Sequence, residues 1–193
     1  MKRIVSGLGL ALVMAAAQAA QETYVVDEEH TFAYYEIDHV GFSTSRGRFD
    51  KTTGRIVLDR AARSGSVDIT VDVGSLSTGV AELDKVLKGE GFFEADKYPR
   101  MTFRSSRMRF DGDRLVAVDG DLTIRDVTRP VTLEVGRFRC AMHPTYRRET
   151  CGADATAQVK RMEFGVSRFP KLLADDVKLV IQVEGYVPKP QQP

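Results

Sequence analysis

The sequence predicts an all-β fold, an antiparallel sandwich or barrel of about eight strands that one short helical insert interrupts. Three observations predict it. Apolar residues alternate with polar ones over most of the chain, turn-forming residues recur at short intervals, and one stretch alone has a helical period. Alternation gives a strand one dry and one wet face, as a half-buried sheet requires. The fold class therefore follows from the period of the pattern.

The first 19 residues have the pattern of a secretory signal peptide. Two basic residues at positions 2 and 3 precede an uncharged run from Ile4 to Ala17, and a small-x-small cleavage motif ends at Ala19. The uncharged run is shorter than the roughly 20 residues that span a bilayer. We expect cleavage after Ala19, with cleavage after Ala17 or a buried N-terminal helix as alternatives. The mature protein is then periplasmic or secreted.

The strand signals differ in clarity along the chain. Alternation of Val, Leu and Ile with polar residues predicts three strands, at 67–73, 131–135 and 177–183. Val116, Val118, Leu122 and Ile124 occupy even-numbered positions, so a regular strand would place them on one face. Gly120 lies between them, where a bulge or sharp bend would fit. Less regular but strand-like stretches lie at 32–42, 54–58, 102–110 and 153–164. Turn formers at Gly54, Gly112 and Pro130 separate these segments.

The helical insert covers about residues 80–95. Leu83, Val86 and Leu87 have helical spacing, and Gly89 follows as a helix-ending residue. Phe92 and Phe93 come directly after it. An insert of this kind can cover the mouth of a barrel, and a plain crossover connection is the alternative.

Composition and motifs narrow the function. Lys and Arg total 28 against 27 Asp and Glu, a net charge of +1, so we expect no nucleic-acid partner. We find no hydrolase elbow, phosphate loop or zinc-protease helix in the sequence. The prediction is a protein without catalytic residues, metal or catalytic cofactor. One barrel domain spans 20–187, and residues 188–193 are expected to be a disordered tail.

The histidines and nearby carboxylates are interpreted as surface residues without a shared metal ion. His30 and His39 are nine residues apart, so one uninterrupted strand would place them on opposite faces, away from a shared metal. The run from Asp27 to His30 is able in principle to hold a cation, but we interpret it as solvated surface charge. His143 is interpreted as a surface histidine in a hairpin loop.

Cys140 and Cys151 flank ten residues rich in loop formers. In an exported protein this arrangement predicts a disulfide at the base of a β-hairpin. A redox-active pair is the alternative, which we favour less because the spacing is not Cys-x-x-Cys.

Several segments, in order along the chain, resemble the YceI-like family of exported lipid-binding proteins. The most characteristic is 87–103, which contains the Phe92-Phe93 pair and ends in Tyr98-Pro99-Arg100-Met101-Thr102-Phe103. The other matching segments are 26–30, 37–41, 47–49, 120–131, 160–165 and 180–185. Together they cover about residues 24–187. Gly89-Glu90-Gly91 departs from the family, which more usually has Ser and Asp before the Phe pair.

The resemblance implies an eight-stranded antiparallel, lipocalin-like barrel whose lumen holds a long polyisoprenoid. A ubiquinone-type quinone tail or a polyprenyl chain is the expected ligand. The aromatic and aliphatic residues expected to line the lumen and mouth are Phe32, Tyr34, Val40, Phe42, Phe49, Leu83, Val86, Leu87, Phe92, Phe93, Phe103 and Phe164. The pattern does not fix which face of 32–42 points inward, because a bulge would exchange the two faces.

Two other functions stay open at this point. The protein is alternatively an accessory partner of a membrane electron-transfer protein, or a small-substrate enzyme that uses His30 or His39. The expected assembly is a monomer or a homodimer.

Overall fold

A computed structural model describes residues 21–189; the predicted signal peptide and the last four residues of the predicted tail lie outside the described residues. The described chain forms strands β1 (Glu22–Val26), β2 (Phe32–His39), β3 (Ser43–Phe49), β4 (Thr52–Asp59), β5 (Ser64–Asp72), β6 (Leu76–Ser77), β7 (Arg100–Asp111), β8 (Arg114–Ile124), β9 (Val127–Met142), β10 (Glu149–Lys160) and β11 (Asp176–Tyr186). Helix α1 is Ala81–Lys88, and 3-10 turns form at Val73–Ser75 and Arg161–Phe164. Among residues 21–189, no helix is both long enough and apolar enough to cross a membrane.

The strands form one closed, all-antiparallel barrel with eight strand positions, which confirms the predicted fold class. In three of these positions the strand consists of two segments that follow each other along the chain. These are β1 and β2, β3 and β4, and β5 and β6. The last strand closes the ring. One edge of β11 pairs with β10, and its other edge pairs first with β2 and then with β1. Closure leaves the barrel without a free sheet edge between first and last strand.

The first strand position is broken by a five-residue excursion, residues 27–31. Val26 pairs with Gly185 and Phe32 pairs with Gln182, so these five residues face two residues of β11. Extra residues of this kind act as a bulge, which bends a strand and increases its twist.

The chain order gives the barrel two distinct ends. At one end lie the β2–β3 turn, helix α1 with the connection to β7, and the segment 165–175. We call this the mouth end. The turns β4–β5, β7–β8 and β9–β10 lie at the other end, which we call the closed end.

Three register shifts change which residues of a strand point inward. They fall between Arg104 and Arg107 on β7, at residue 116 of β8, and at residue 136 of β9. The expected irregularity at Gly120 is real, but the extra residue belongs to β7, opposite that glycine. Gly120 itself accommodates the Phe103 ring, since a Cβ there would lie 2.5 Å from Phe103 Cζ.

Helix α1 begins one residue later than the helical pattern and ends before Gly89. The Asp84 carboxylate fixes its first turn, accepting hydrogen bonds from the Thr78 N–H and hydroxyl at 2.7 and 2.6 Å. Leu87 packs against the core, while Leu83 and Val86 are 37% and 45% exposed at the mouth end. The helix therefore covers the mouth without sealing it.

Cys140 and Cys151 lie directly opposite each other on β9 and β10 and form a disulfide. The expected bond at the base of the hairpin is therefore present. The two cysteines are 11 residues apart in sequence, so the bond closes a short ring.

We predict that the Cys140→Ala, Cys151→Ala double variant unfolds more easily than the wild type. Closing so short a ring stabilises a fold by about 3 kcal/mol, because it restricts the unfolded chain. Urea denaturation measures the difference, and thiol titration of denatured, unreduced wild type should find no free thiol. Two free thiols in protein from its native compartment would contradict the prediction.

Candidate functional site

An apolar cavity of about 560 Å³ occupies the inside of the barrel. Leu83 and Leu173 border it at the mouth end, Ile69 and Leu122 in the middle, and Leu58 toward the closed end. The cavity therefore runs along the barrel axis. Eight strands enclose a space that side chains fill or that holds one slender ligand, and here part of the space is unfilled.

Small side chains on β10 line part of this space. Ala153, Ala155 and Ala157 alternate with three polar residues, and the last two alanines are buried. Ala153 and Ala155 border the cavity. An alanine row on one inner wall leaves room that Leu or Phe on the facing strands does not fill.

The cavity reaches the surface at the mouth end. Exposed apolar side chains from three separate segments border it there: Val40 after β2, Leu83 and Val86 on α1, and Phe169 and Leu172 before β11. The Phe169 ring also lies 6.2 Å from that of buried Phe92. The opening is thus framed by side chains that a hydrophobic ligand can contact as it enters.

All predicted lumen and mouth residues except Phe42 border the cavity: Phe32, Tyr34, Val40, Phe49, Leu83, Val86, Leu87, Phe92, Phe93, Phe103 and Phe164. Phe92 and Phe164 are also buried core residues, 5% and 1% exposed. Phe93 packs edge-on against Phe49, with ring centroids 5.4 Å apart.

The prediction for Phe42 is wrong, because its side chain is 89% exposed and does not border the cavity. Strand β2 ends at His39, and the chain turns through Val40 and Gly41, both with positive φ. The Asp38 carboxylate accepts the Gly41 N–H at 2.7 Å and holds this turn. Strand parity therefore does not extend to residue 42.

The inward face of β2 is the face of Ala33, Tyr35 and Ile37, which pack against the buried core residues around Phe49 and Phe164. The rings of Phe32 and Tyr34 lie instead against the guanidinium of Arg48. Arg48 is 43% exposed, so this stack is on the outer face. Both residues border the cavity. The face of β2 that the sequence pattern left open is therefore the face of Ala33, Tyr35 and Ile37.

Tyr35 places a phenol in the apolar wall. It lies across from Gly47, where a Cβ would come within 2.5 Å of the Tyr35 hydroxyl, so only glycine leaves room for the ring. Burial raises the pKa of Tyr35 to about 12, with a smaller effect of the Asp84 carboxylate. A second hydroxyl in the wall, Thr52 Oγ1, is buried and has no hydrogen-bond partner among the described residues.

Arg161 is a charged residue in the wall, only 6% exposed. Its guanidinium donates to four backbone carbonyls of the segment that precedes β11: Val166 (2.7 Å), Arg168 (3.0 Å), Leu173 (3.2 Å) and Ala174 (2.8 Å). Burial lowers its pKa. The side chain thus fixes one rim of the mouth to the end of β10.

Arg125 fixes another part of the mouth. Its guanidinium bonds to the Glu94 carboxylate at 2.7 Å and to the Gly165 carbonyl, and it lies over the Tyr98 ring. The segment after α1 is therefore tied to the β8–β9 turn. The sequence pattern marked this segment as characteristic but did not identify the arginine that holds it.

The histidines lie in separate places. His39 ends β2 and borders the cavity at the mouth, whereas His30 lies in the excursion 27–31. The hydrogen bond that the His30 imidazole donates to the Asp27 carboxylate raises the pKa of His30. His143 Nδ1 accepts two backbone N–H groups in the β9–β10 turn, at 3.2 Å each.

The closed antiparallel barrel and its apolar interior define the class of protein: a small barrel with a ligand-sized cavity along its axis. Comparison with known proteins agrees. The chain matches the YceI-like domain over residues 24–185, and it belongs to that family.

Individual relatives give the same result. The protein YceI of Shigella flexneri is 33% identical over 189 residues, which cover 96% of this chain and 98% of that protein. The crystal structure of BcnA from Burkholderia cenocepacia has a TM-score of 0.71 and 25% identity, covering 82% of this chain and 98% of BcnA. A polyisoprenoid binding domain from Saccharophagus degradans shares the fold, with a TM-score of 0.61, 16% identity, and coverage of 86% and 98%.

We predict that Tyr35→Phe reduces the loss of stability at alkaline pH. The pKa of folded Tyr35, about 12, is above its ordinary value of 10.0. The unfolded chain therefore releases the proton first, and stability falls as pH rises from 10 toward 12. Urea denaturation across that range should show a shallower decline for the variant. Tyr146→Phe, at a position 46% exposed, is the control and should behave as the wild type. Equal slopes for both variants would contradict a buried phenol at position 35.

Proposed function

We propose that the protein is an exported carrier that holds one long isoprenoid lipid in the barrel cavity. The observation that carries the proposal is the axial apolar cavity of about 560 Å³, open at the mouth end. Small-molecule sites in proteins commonly enclose about 300–1,000 Å³. The ligand class is an isoprenoid quinone or a polyprenyl chain.

The cavity wall suits a flexible hydrocarbon chain. Each CH₂ group moved from water into an apolar site contributes about 0.8 kcal/mol, so affinity grows with the length buried. Such a chain needs few hydrogen bonds, and the wall offers mostly aliphatic and aromatic side chains. A compact polar ligand would instead need several converging donors and acceptors.

The head group is proposed to lie at the mouth. His39 and Ser45 border the cavity there, close to solvent, and both offer hydrogen-bonding atoms. A ubiquinone-type head group placed at this end keeps its carbonyl oxygens near polar partners while the tail follows the barrel axis.

Relatives support this proposal. The Saccharophagus degradans domain, which shares the fold, is described as polyisoprenoid binding. The match to the YceI-like domain, residues 24–185, covers nearly the whole described barrel.

Export is part of the same proposal. A basic pair, an uncharged run and a cleavage motif at Ala19 form the N-terminal pattern of a secreted precursor. The Cys140–Cys151 disulfide suits an oxidising compartment such as the periplasm. A carrier located there would move a lipid that has almost no solubility as a monomer in water.

We predict that Ala155→Phe abolishes lipid retention. Ala155 is buried and borders the middle of the cavity, so a phenyl ring there occupies the path of the chain. The protein is purified after export, extracted with organic solvent, and the extract is analysed by mass spectrometry. We expect an isoprenoid lipid from wild type, in an amount approaching one per chain, and at least about tenfold less from the variant.

Thr156→Phe is the matched control, because it places the same ring one residue further along β10 on the exposed outer face. This variant should retain lipid as the wild type does. Circular dichroism checks that both variants fold. Equal lipid content in the two variants, or no isoprenoid in any preparation even after incubation with ubiquinone, would refute the proposed function.

The export proposal has its own test. We predict that protein recovered from the periplasm begins at Ala20, because the small-x-small motif ends at Ala19. Intact-mass measurement reads the cleavage site directly. Recovery of uncleaved chain in the cytoplasm alone would contradict export.

A further inference from the structure

Three metal-ligating side chains meet where the first strand position is broken. Asp27 and His30 belong to the excursion 27–31, and Glu184 lies on β11 beside it. One donor atom from each lies within 4.8 Å of the other two, and all three residues are partly buried. From the sequence, the candidate ligands were the consecutive residues 27–30. In the fold, the third ligand beside Asp27 and His30 is Glu184, more than 150 residues away in sequence.

Backbone hydrogen bonds hold these three residues in place. The Asp27 N–H donates to the Glu184 carbonyl at 2.9 Å. The Thr31 hydroxyl donates to the same carbonyl and accepts the Glu184 N–H, both at 3.1 Å. The Gln182 side-chain amide donates to the His30 carbonyl at 3.1 Å. These hydrogen bonds fix the backbone at Asp27, His30 and Glu184. The carboxylates and the imidazole of these residues therefore extend from fixed backbone positions.

The side chains themselves are partly oriented. Asp27 Oδ1 accepts the Glu29 N–H at 3.1 Å, which turns Oδ2 toward His30 Nδ1 at 3.0 Å. A site with its ligands already positioned loses less conformational freedom when an ion binds.

We propose that Asp27, His30 and Glu184 bind a divalent transition-metal ion of the Zn²⁺ type. One imidazole nitrogen and two carboxylate oxygens form a donor set that Zn²⁺ accepts, with the remaining position open to water. The imidazole favours Zn²⁺ and its transition-metal neighbours over Ca²⁺ and Mg²⁺, which prefer oxygen ligands. The two carboxylates balance the charge of the ion.

The bound ion fastens the broken strand to β11. It joins the excursion, which lacks regular pairing, to the strand that closes the barrel. An ion that binds only the folded chain raises its stability. The site is separate from the mouth and does not depend on the identity of the lipid.

The test uses untagged protein freed of metal with a chelator and then titrated with Zn²⁺ by calorimetry. We expect one Zn²⁺ per chain and a higher midpoint of thermal unfolding in the presence of Zn²⁺. His30→Ala and Glu184→Gln should each weaken Zn²⁺ binding at least tenfold. Glu184→Gln keeps every backbone hydrogen bond at this position, so the second variant reports on coordination even if the first one folds poorly.

His143→Ala and Glu163→Gln are the matched controls, since both residues lie outside the cluster and Glu163 is exposed. These variants should bind Zn²⁺ as the wild type does. The proposal is overturned if the wild type shows no saturable Zn²⁺ binding. It is equally overturned if the control variants weaken binding as much as His30→Ala and Glu184→Gln.

Discussion

Closure of the sheet by β11 is the constraint on which the rest of the structure depends. This strand pairs along one edge with β10 and along the other with two segments in succession, β2 and β1. A single regular strand in the first position would have to follow the full twist and tilt of the barrel. The excursion 27–31 interrupts it and lets each part pair separately. Without this seam the apolar interior would open along its whole length.

A closed barrel with an unfilled interior carries an energetic cost that a ligand can offset. Side chains around an apolar void lose packing contacts, and such voids destabilise proteins in proportion to their size. Ala153 and Ala155 on β10 leave room on one wall of this void that larger side chains would fill. A hydrocarbon chain in this void would restore the missing contacts, so the proposed lipid binding would be thermodynamically linked to barrel stability. The extent of the void is therefore itself an argument for a ligand.

The sequence was sufficient where the information is local. Period-two alternation gives the fold class, the spacing of Leu83, Val86 and Leu87 gives α1, and the two cysteines give the hairpin disulfide. It failed at Phe42, which follows a turn that ends strand parity. It left open the face of Phe32, because the outward stack of that ring on Arg48 depends on the pairing of β2 with β3. The alternating alanines of β10 were visible in the sequence, and would have indicated the open side of the lumen.

Contacts between segments that are distant in sequence could not be predicted from the alternation of apolar and polar residues. Arg161 looks like one of many surface arginines until the fold buries it among the carbonyls of the segment before β11. Arg125 similarly acquires its role by reaching Glu94. Both arginines hold the framework of the mouth with polar bonds, whereas the exposed side chains of Leu83 and Leu172 are not part of that framework. A ligand entering between those side chains can displace them while the arginines keep the rim in place. Entry of the proposed ligand would then involve only these side chains and would leave the barrel closed.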